Sequence, residues 1–104
     1  DFVNIEDVIQ ANIKACTPKQ NGVYNVGTGE PRSFQDIADI LQKELGTNLG
    51  TKYFPNPYDG YQMHTQADIS ESEKQLEYHP QVTLEQGIKA YVPEIKRLFE
   101  EGVD

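Results

Sequence analysis

Two short polar signatures, each followed by apolar residues at helical spacing, constrain this chain more than any other feature. Ser33 stands three residues before Asp36, and Thr83 three before Gln86. In such a pair the first side chain accepts from the backbone N–H three residues on, while the second reaches back to the first residue's own N–H. Behind Ser33, the residues Phe34, Ile37, Ala38, Leu41 and Leu45 recur on one face until Gly46 stops the run. Behind Thr83, the face is Leu84, Ile88, Tyr91, Val92, Ile95, Leu98 and Phe99. Pro93 lies inside that run and lacks an N–H, so a kink or break is expected near residues 89–93.

The remaining elements are shorter. Ile5, Val8, Ile9, Ile13 and Cys16 repeat with helical spacing and predict a first helix over about residues 6–16. Ser70 with Glu73 predicts a third capping box, opening a short helix to about Tyr78 that Pro80 closes. Residues 1–5, 23–26 and 51–55 read as short strands. The order strand, helix, strand, helix, strand, helix, helix is an α/β pattern with short strands and about four helices. At 104 residues it fits one small domain. Three short strands cannot cover two helix-bearing faces, and the run from Gly22 to Gly27 reads as a sheet edge awaiting neighbours.

Charge and cysteine content remove whole classes of function. Seventeen acidic against nine basic residues give a net charge of −8. A nucleic-acid binder needs a basic stripe to displace phosphate counterions, and Lys96–Arg97 is the one adjacent basic pair. Neither nucleic acid nor a membrane is an expected partner, and no apolar run approaches membrane length. The single cysteine, Cys16, excludes an internal disulfide and fits a reducing compartment. Its place in the helical pattern predicts a core filler. The chain opens on Asp1 inside an apolar stretch, which predicts a piece cut from a longer protein.

Few residues offer chemistry. The turn Gly27–Thr28–Gly29 follows a β-rich run and precedes a helix, so its backbone N–H groups could receive a phosphate. It lacks the third glycine of a dinucleotide fingerprint, and turn-shaping is the plainer reading. His64 and His79 lie far apart with no cysteine or paired carboxylate at ligand spacing, so no metal site is expected. Residues 56–66 hold Tyr58, Tyr61, Gln62, His64 and Gln66 among turn formers. Rigid phenols and amides suit a sugar or nucleotide, by stacking and directed hydrogen bonds; a solvated polar loop is the alternative.

Three stretches resemble one superfamily. The opening DFVNIEDV resembles the segment that follows the substrate-contacting arginine of extended short-chain dehydrogenases. The run GVYNVGTGEPRSF resembles their last core strand and the capped helix after it. GYQMHTQADIS resembles the GRYQ…TQADLS signature of the ADP-glyceromanno-heptose 6-epimerase family, and TLEQGIKAYV its final helix. The resemblance implies residues 1–104 as the C-terminal, substrate-binding part of a Rossmann-type nucleotide-sugar epimerase acting in heptose supply for lipopolysaccharide. It implies NADP as the cofactor of the full-length enzyme, held by an N-terminal domain outside these residues, in the cytoplasm. It leaves room for a homo-oligomer of that enzyme.

On this resemblance Tyr61 and Gln62 contact the nucleotide-sugar, with ADP-heptose the expected substrate. No catalytic residue is expected within the chain: the family's pair comes from a Tyr-x-x-x-Lys motif, and none of the six tyrosines here has a lysine four residues on. The chain by itself is therefore expected to be inactive. Gly60 departs from the family pattern, which often has Arg before the tyrosine. Two alternatives stand beside this reading: another epimerase or dehydratase of the superfamily acting on a UDP- or dTDP-sugar, and a stand-alone acidic interaction module.

Overall fold

A computed structural model describes residues 1–102 of the chain. Its regular elements are four helices: α1 (Ile5–Lys14), α2 (Phe34–Leu45), α3 (Ser70–Leu76) and α4 (Leu84–Glu100). Both strongest sequence signatures form as read. Ser33 and Asp36 cap α2 reciprocally, as Thr83 and Gln86 cap α4. Gly46 ends α2 in the left-handed conformation, φ +71°, donating to the carbonyls of Gln42 and Lys43. α2 packs on α4.

Among the described residues there is no strand, so the short strands expected at 1–5, 23–26 and 51–55 are not formed. A β-prone run becomes a strand only when a neighbour takes its backbone groups, and at residues 25 and 27 side chains take the carbonyls instead. The Asn25 carbonyl accepts from Ser72 Oγ at 2.5 Å, and the Gly27 carbonyl from the Tyr78 hydroxyl at 2.6 Å. Residues 51–53 are held by Gln35 of α2, which donates to Thr51 Oγ1 at 3.1 Å and accepts from the Tyr53 hydroxyl.

Other expectations are corrected in detail. α3 has no capping box: its N-cap is Ile69, and Ser70 already lies inside the helix. The capping role passes to Asp68, whose Oδ1 accepts from Ser70 N at 3.0 Å and from the Ser70 hydroxyl. α3 stops at Leu76, the single left-handed residue Glu77 (φ +58°) terminating it before Tyr78. Pro93 does not break α4, which runs through it as one helix. Pro93 and Lys89 are both exposed, so the carbonyl freed by the missing N–H can face water.

α1 carries the largest surprise. It ends at Lys14, so Cys16 falls in the following turn, where it is exposed and its thiol donates to the Asn12 carbonyl at 3.6 Å. Cys16 is not a core filler. The buried stripe of α1 is Asp7 and Ala11, while Ile5, Ile9 and Ile13 are 64%, 44% and 66% exposed on the other side. The core beneath α1 comprises Ala11, Ile69, Leu76 and Tyr78, with Tyr24 and Ala67 packed against it. Asp7 is buried because it has work there: Oδ1 accepts from Gln81 N at 2.8 Å and Oδ2 from Val82 N at 3.1 Å. Those bonds fasten α1 to the segment that leads into α4.

Candidate functional site

The loop that carries Tyr61 and Gln62 is shaped by local chemistry. Asn56 Oδ1 accepts from Tyr58 N at 2.8 Å, a side-chain mimic of a backbone turn. Gly60 then adopts φ +70°, in the left-handed region that residues with a Cβ enter at a cost. The glycine that departs from the GRYQ pattern is thus the residue the local backbone favours. After the reversal the chain runs back toward Asp1. Gln66 Nε2 donates to the Gly29 carbonyl at 2.8 Å, and the Asn25 side chain to the Asp68 carbonyl at 3.3 Å.

This return forms two adjoining cavities. One, of about 560 Å³, lies between Phe2, the segment Pro31–Phe34 and the residues Tyr61–Thr65. Its aromatic wall is Phe2 against Phe34, edge to face, with ring centroids 5.5 Å apart. The second, of about 550 Å³, lies between Val26–Gly27 and Gln62 with His64–Ala67. Asp1, Gln62, His64 and Thr65 line both. Tyr61 is half-exposed and lines the first alone. The structure therefore brings Tyr61, Gln62 and His64 to one place and puts Tyr58 outside it.

The electrostatics of this place are unlike those of a ready phosphate site. Arg32 is the one lysine or arginine among the described lining residues, and carboxylates already surround it. Its nitrogens lie 2.6 Å from Glu85, 3.3 Å from Asp36 and 3.8 Å from Glu30. The hydrogen bond to Glu85 in particular holds the guanidinium above its usual range and the Glu85 carboxyl below its own. Asp36 is lowered first by the Ser33 backbone N–H and then by Arg32. Arg32 staples α2 to α4.

The turn at Gly27–Gly29 does receive an anion, and that anion is the chain's own. Asp1 Oδ1 accepts from Thr28 N at 2.9 Å and from Thr28 Oγ1 at 2.8 Å; Oδ2 accepts from Gly29 N at 2.8 Å. With Thr28 and Gly29 N–H groups engaged, the turn is not free for a cofactor phosphate. No group of three or more potential metal-ligating side chains lies together among the described residues.

No protein-family model matches the chain. Comparison with individual proteins is decisive. An ADP-L-glycero-D-manno-heptose-6-epimerase of Brachyspira hyodysenteriae is 33% identical over 101 residues, covering 93% of this chain and 31% of that protein. The crystal structure of the Helicobacter pylori ADP-L-glycero-D-manno-heptose-6-epimerase superposes with a TM-score of 0.81 and 47% identity, over 92% of this chain and 29% of that one. A UDP-glucuronic acid 4-epimerase of Bacillus cereus, solved with UDP-4-deoxy-4-fluoro-glucuronic acid and NAD, gives 0.82 and 37%, over 94% of this chain and 32% of that one. Over most of its length the chain is homologous to nucleotide-sugar epimerases.

The solved epimerases are Rossmann-type proteins, so this chain shares part of an α/β enzyme even though its own described residues form helices alone. It spans about three tenths of the length of the epimerases it matches. Among the described residues, the glycine turn that precedes a capped helix holds the Asp1 carboxylate. The sequence pattern missed three contributors to the cavity that Tyr61 and Gln62 line. Phe2 and Phe34 read as strand and helix-face residues, and Asp1 as the end of a strand. No spacing rule joins them, since the three meet only through the fold.

Proposed function

We propose that this chain is the C-terminal, substrate-binding part of a nucleotide-sugar epimerase, with Tyr61 and Gln62 contacting the nucleotide-sugar. The observation that carries this reading is the cavity that both side chains line together with the Phe2–Phe34 pair, within a chain homologous to such epimerases. A half-exposed phenol, an amide and two aromatic faces supply stacking surface with a few directed polar groups, the composition of a sugar-nucleotide site. ADP-heptose is the favoured substrate, because the TQAD stretch resembles the heptose enzymes and two of the relatives carry that name.

In this reading the catalytic pair and NADP belong to a Rossmann domain outside these residues. The chain binds and orients the sugar, and by itself it does not turn over. The exposed stripe of Ile5, Ile9 and Ile13 supports such a neighbour, because an apolar face of that size is normally covered. A cytoplasmic enzyme supplying heptose for lipopolysaccharide is the setting that follows from this substrate.

Calorimetric titration of the chain with ADP-glucose and with UDP-glucose tests the proposal. ADP-glucose is expected to bind the more tightly, and Tyr61→Phe to weaken it by roughly five- to tenfold through loss of one hydrogen bond. A preference for UDP-glucose points to a different epimerase. Absence of saturable binding for both sugars would sink the substrate-binding reading.

A further inference from the structure

Asp1 makes the densest set of side-chain hydrogen bonds beside the candidate cavity, and none of its partners is near it in sequence. Its Oδ1 takes the backbone and hydroxyl hydrogens of Thr28, and its Oδ2 takes the N–H of Gly29 and, at 3.1 Å, that of Ala67. Ala67 is where the exposed loop 51–66 re-enters the packed part of the molecule. One carboxylate thus joins the glycine turn to the returning end of the loop that bears Tyr61 and Gln62. The approach is close: a Cβ on Gly27 would stand 2.8 Å from Ala67 Cβ and 3.0 Å from Asp1 Oδ2. Charge-assisted bonds of this kind are the stronger and more directional ones.

We propose that Asp1 is a positioning residue for the loop, fixing its C-terminal end so that Gln62, His64 and Thr65 stay in register with the cavity that Asp1 also lines. This rests on the functional reading above for its consequence in binding, though not for its structural content. Asp1→Asn is the discriminating change. An amide that keeps its oxygen toward Thr28 turns an NH₂ donor toward the donating N–H groups of Gly29 and Ala67.

The test is amide hydrogen exchange on the full chain, combined with ADP-glucose titration and a thermal melt. In Asp1→Asn the amides of Gly29, Ala67 and residues 61–66 are expected to exchange about tenfold faster, while Leu41 in α2 and Val92 in α4 keep their rates. ADP-glucose affinity is expected to fall by a similar factor while the chain still melts cooperatively. Loop amides that exchange as in the wild type overturn the proposal, whatever happens at Gly29. If the wild type binds no nucleotide-sugar, the functional reading fails and the exchange rates alone still decide the role of Asp1. Should Asp1→Asn unfold, Thr28→Val removes the hydroxyl donor to Oδ1 with little change of shape, and the same loop amides are read: faster exchange supports positioning, unchanged exchange overturns it.

Discussion

The hydroxyl of Tyr78 donates to the carbonyl oxygen of Gly27 at 2.6 Å, across 51 positions of sequence, from a side chain with no solvent exposure. This bond satisfies a backbone acceptor that a sheet neighbour would otherwise have to satisfy, and it places the glycine turn over the core beneath α1. The ring fills that core while its polar end ties down the turn.

Tyr78→Phe keeps the ring and strands the Gly27 carbonyl, so a loss of about 1–3 kcal/mol is expected in a denaturant titration. Burial, with Asp7 nearby, raises the Tyr78 phenol above its ordinary value. The unfolded chain then ionises first: the contribution is whole below about pH 10 and is lost as pH rises through the folded value. Wild type should therefore lose stability in alkali more steeply than Tyr78→Phe, as thermal melts at roughly pH 8 and pH 11 would show.

Asp7→Ala should be among the most damaging single changes. It leaves the N–H groups of Gln81 and Val82 without their acceptor, at about 1–3 kcal/mol for each group that water cannot reach. Amide exchange at Gln81 and Val82 should rise well before that of Leu41. Equal acceleration everywhere would mean that Asp7 supports the whole fold rather than the junction of α1 with α4.

Two glycines should respond differently to alanine. At Gly27 the new Cβ meets the Cβ of Ala67, which the backbone holds in place, and about 1–3 kcal/mol of overpacking is expected. At Gly87 the nearest atom is Asn4 Nδ2 at 2.9 Å, the end of a side chain that can rotate. Its motion weakens the Asn4 cap on Glu6 N, so Gly87→Ala should cost no more than about 1 kcal/mol, the value of a helix cap. Denaturation midpoints of the two variants settle the order.

Acid should loosen the junction of α2 with α4. Glu85 and Asp36 both titrate below their ordinary values, Glu85 mainly through its hydrogen bond from Arg32. A lowered folded value gives stability that is present above the unfolded pKa and vanishes as pH falls through the folded one. Melting temperature should therefore drop between roughly pH 5 and pH 3, and Glu85→Gln should flatten that slope. The pairs are exposed, so the effect is small and should shrink in high salt.

The exposed stripe on α1 should tolerate polarity. Ile9→Gln is expected to change the stability of the chain by less than about 0.5 kcal/mol, since the side chain contributes little to the existing core. It should also reduce any self-association seen by sedimentation. A large loss of stability would mean that α1 packs on the chain through its isoleucines after all.

What the sequence by itself determined is what lies within one helical turn. Ser33 and Asp36, Thr83 and Gln86, and Gly46 act on backbone groups three or four positions away, so their chemistry was readable without knowing the fold. The grouping of Tyr61, Gln62 and His64 in one loop was readable for the same reason. Tertiary structure decided everything that depends on a distant partner. Val23–Val26 has the composition of a strand, yet Ser72 and Tyr78 take two of the carbonyls around it, and a strand exists only by pairing. The spacing of α1 marked its isoleucines as inward, but Asp7 found the N–H groups of Gln81 and Val82, and the helix turned that side to the core. Asp1 joined Thr28 and Ala67 across 27 and 66 positions. Such bonds leave no local pattern, because which donors a carboxylate meets is fixed only when the chain has folded around it.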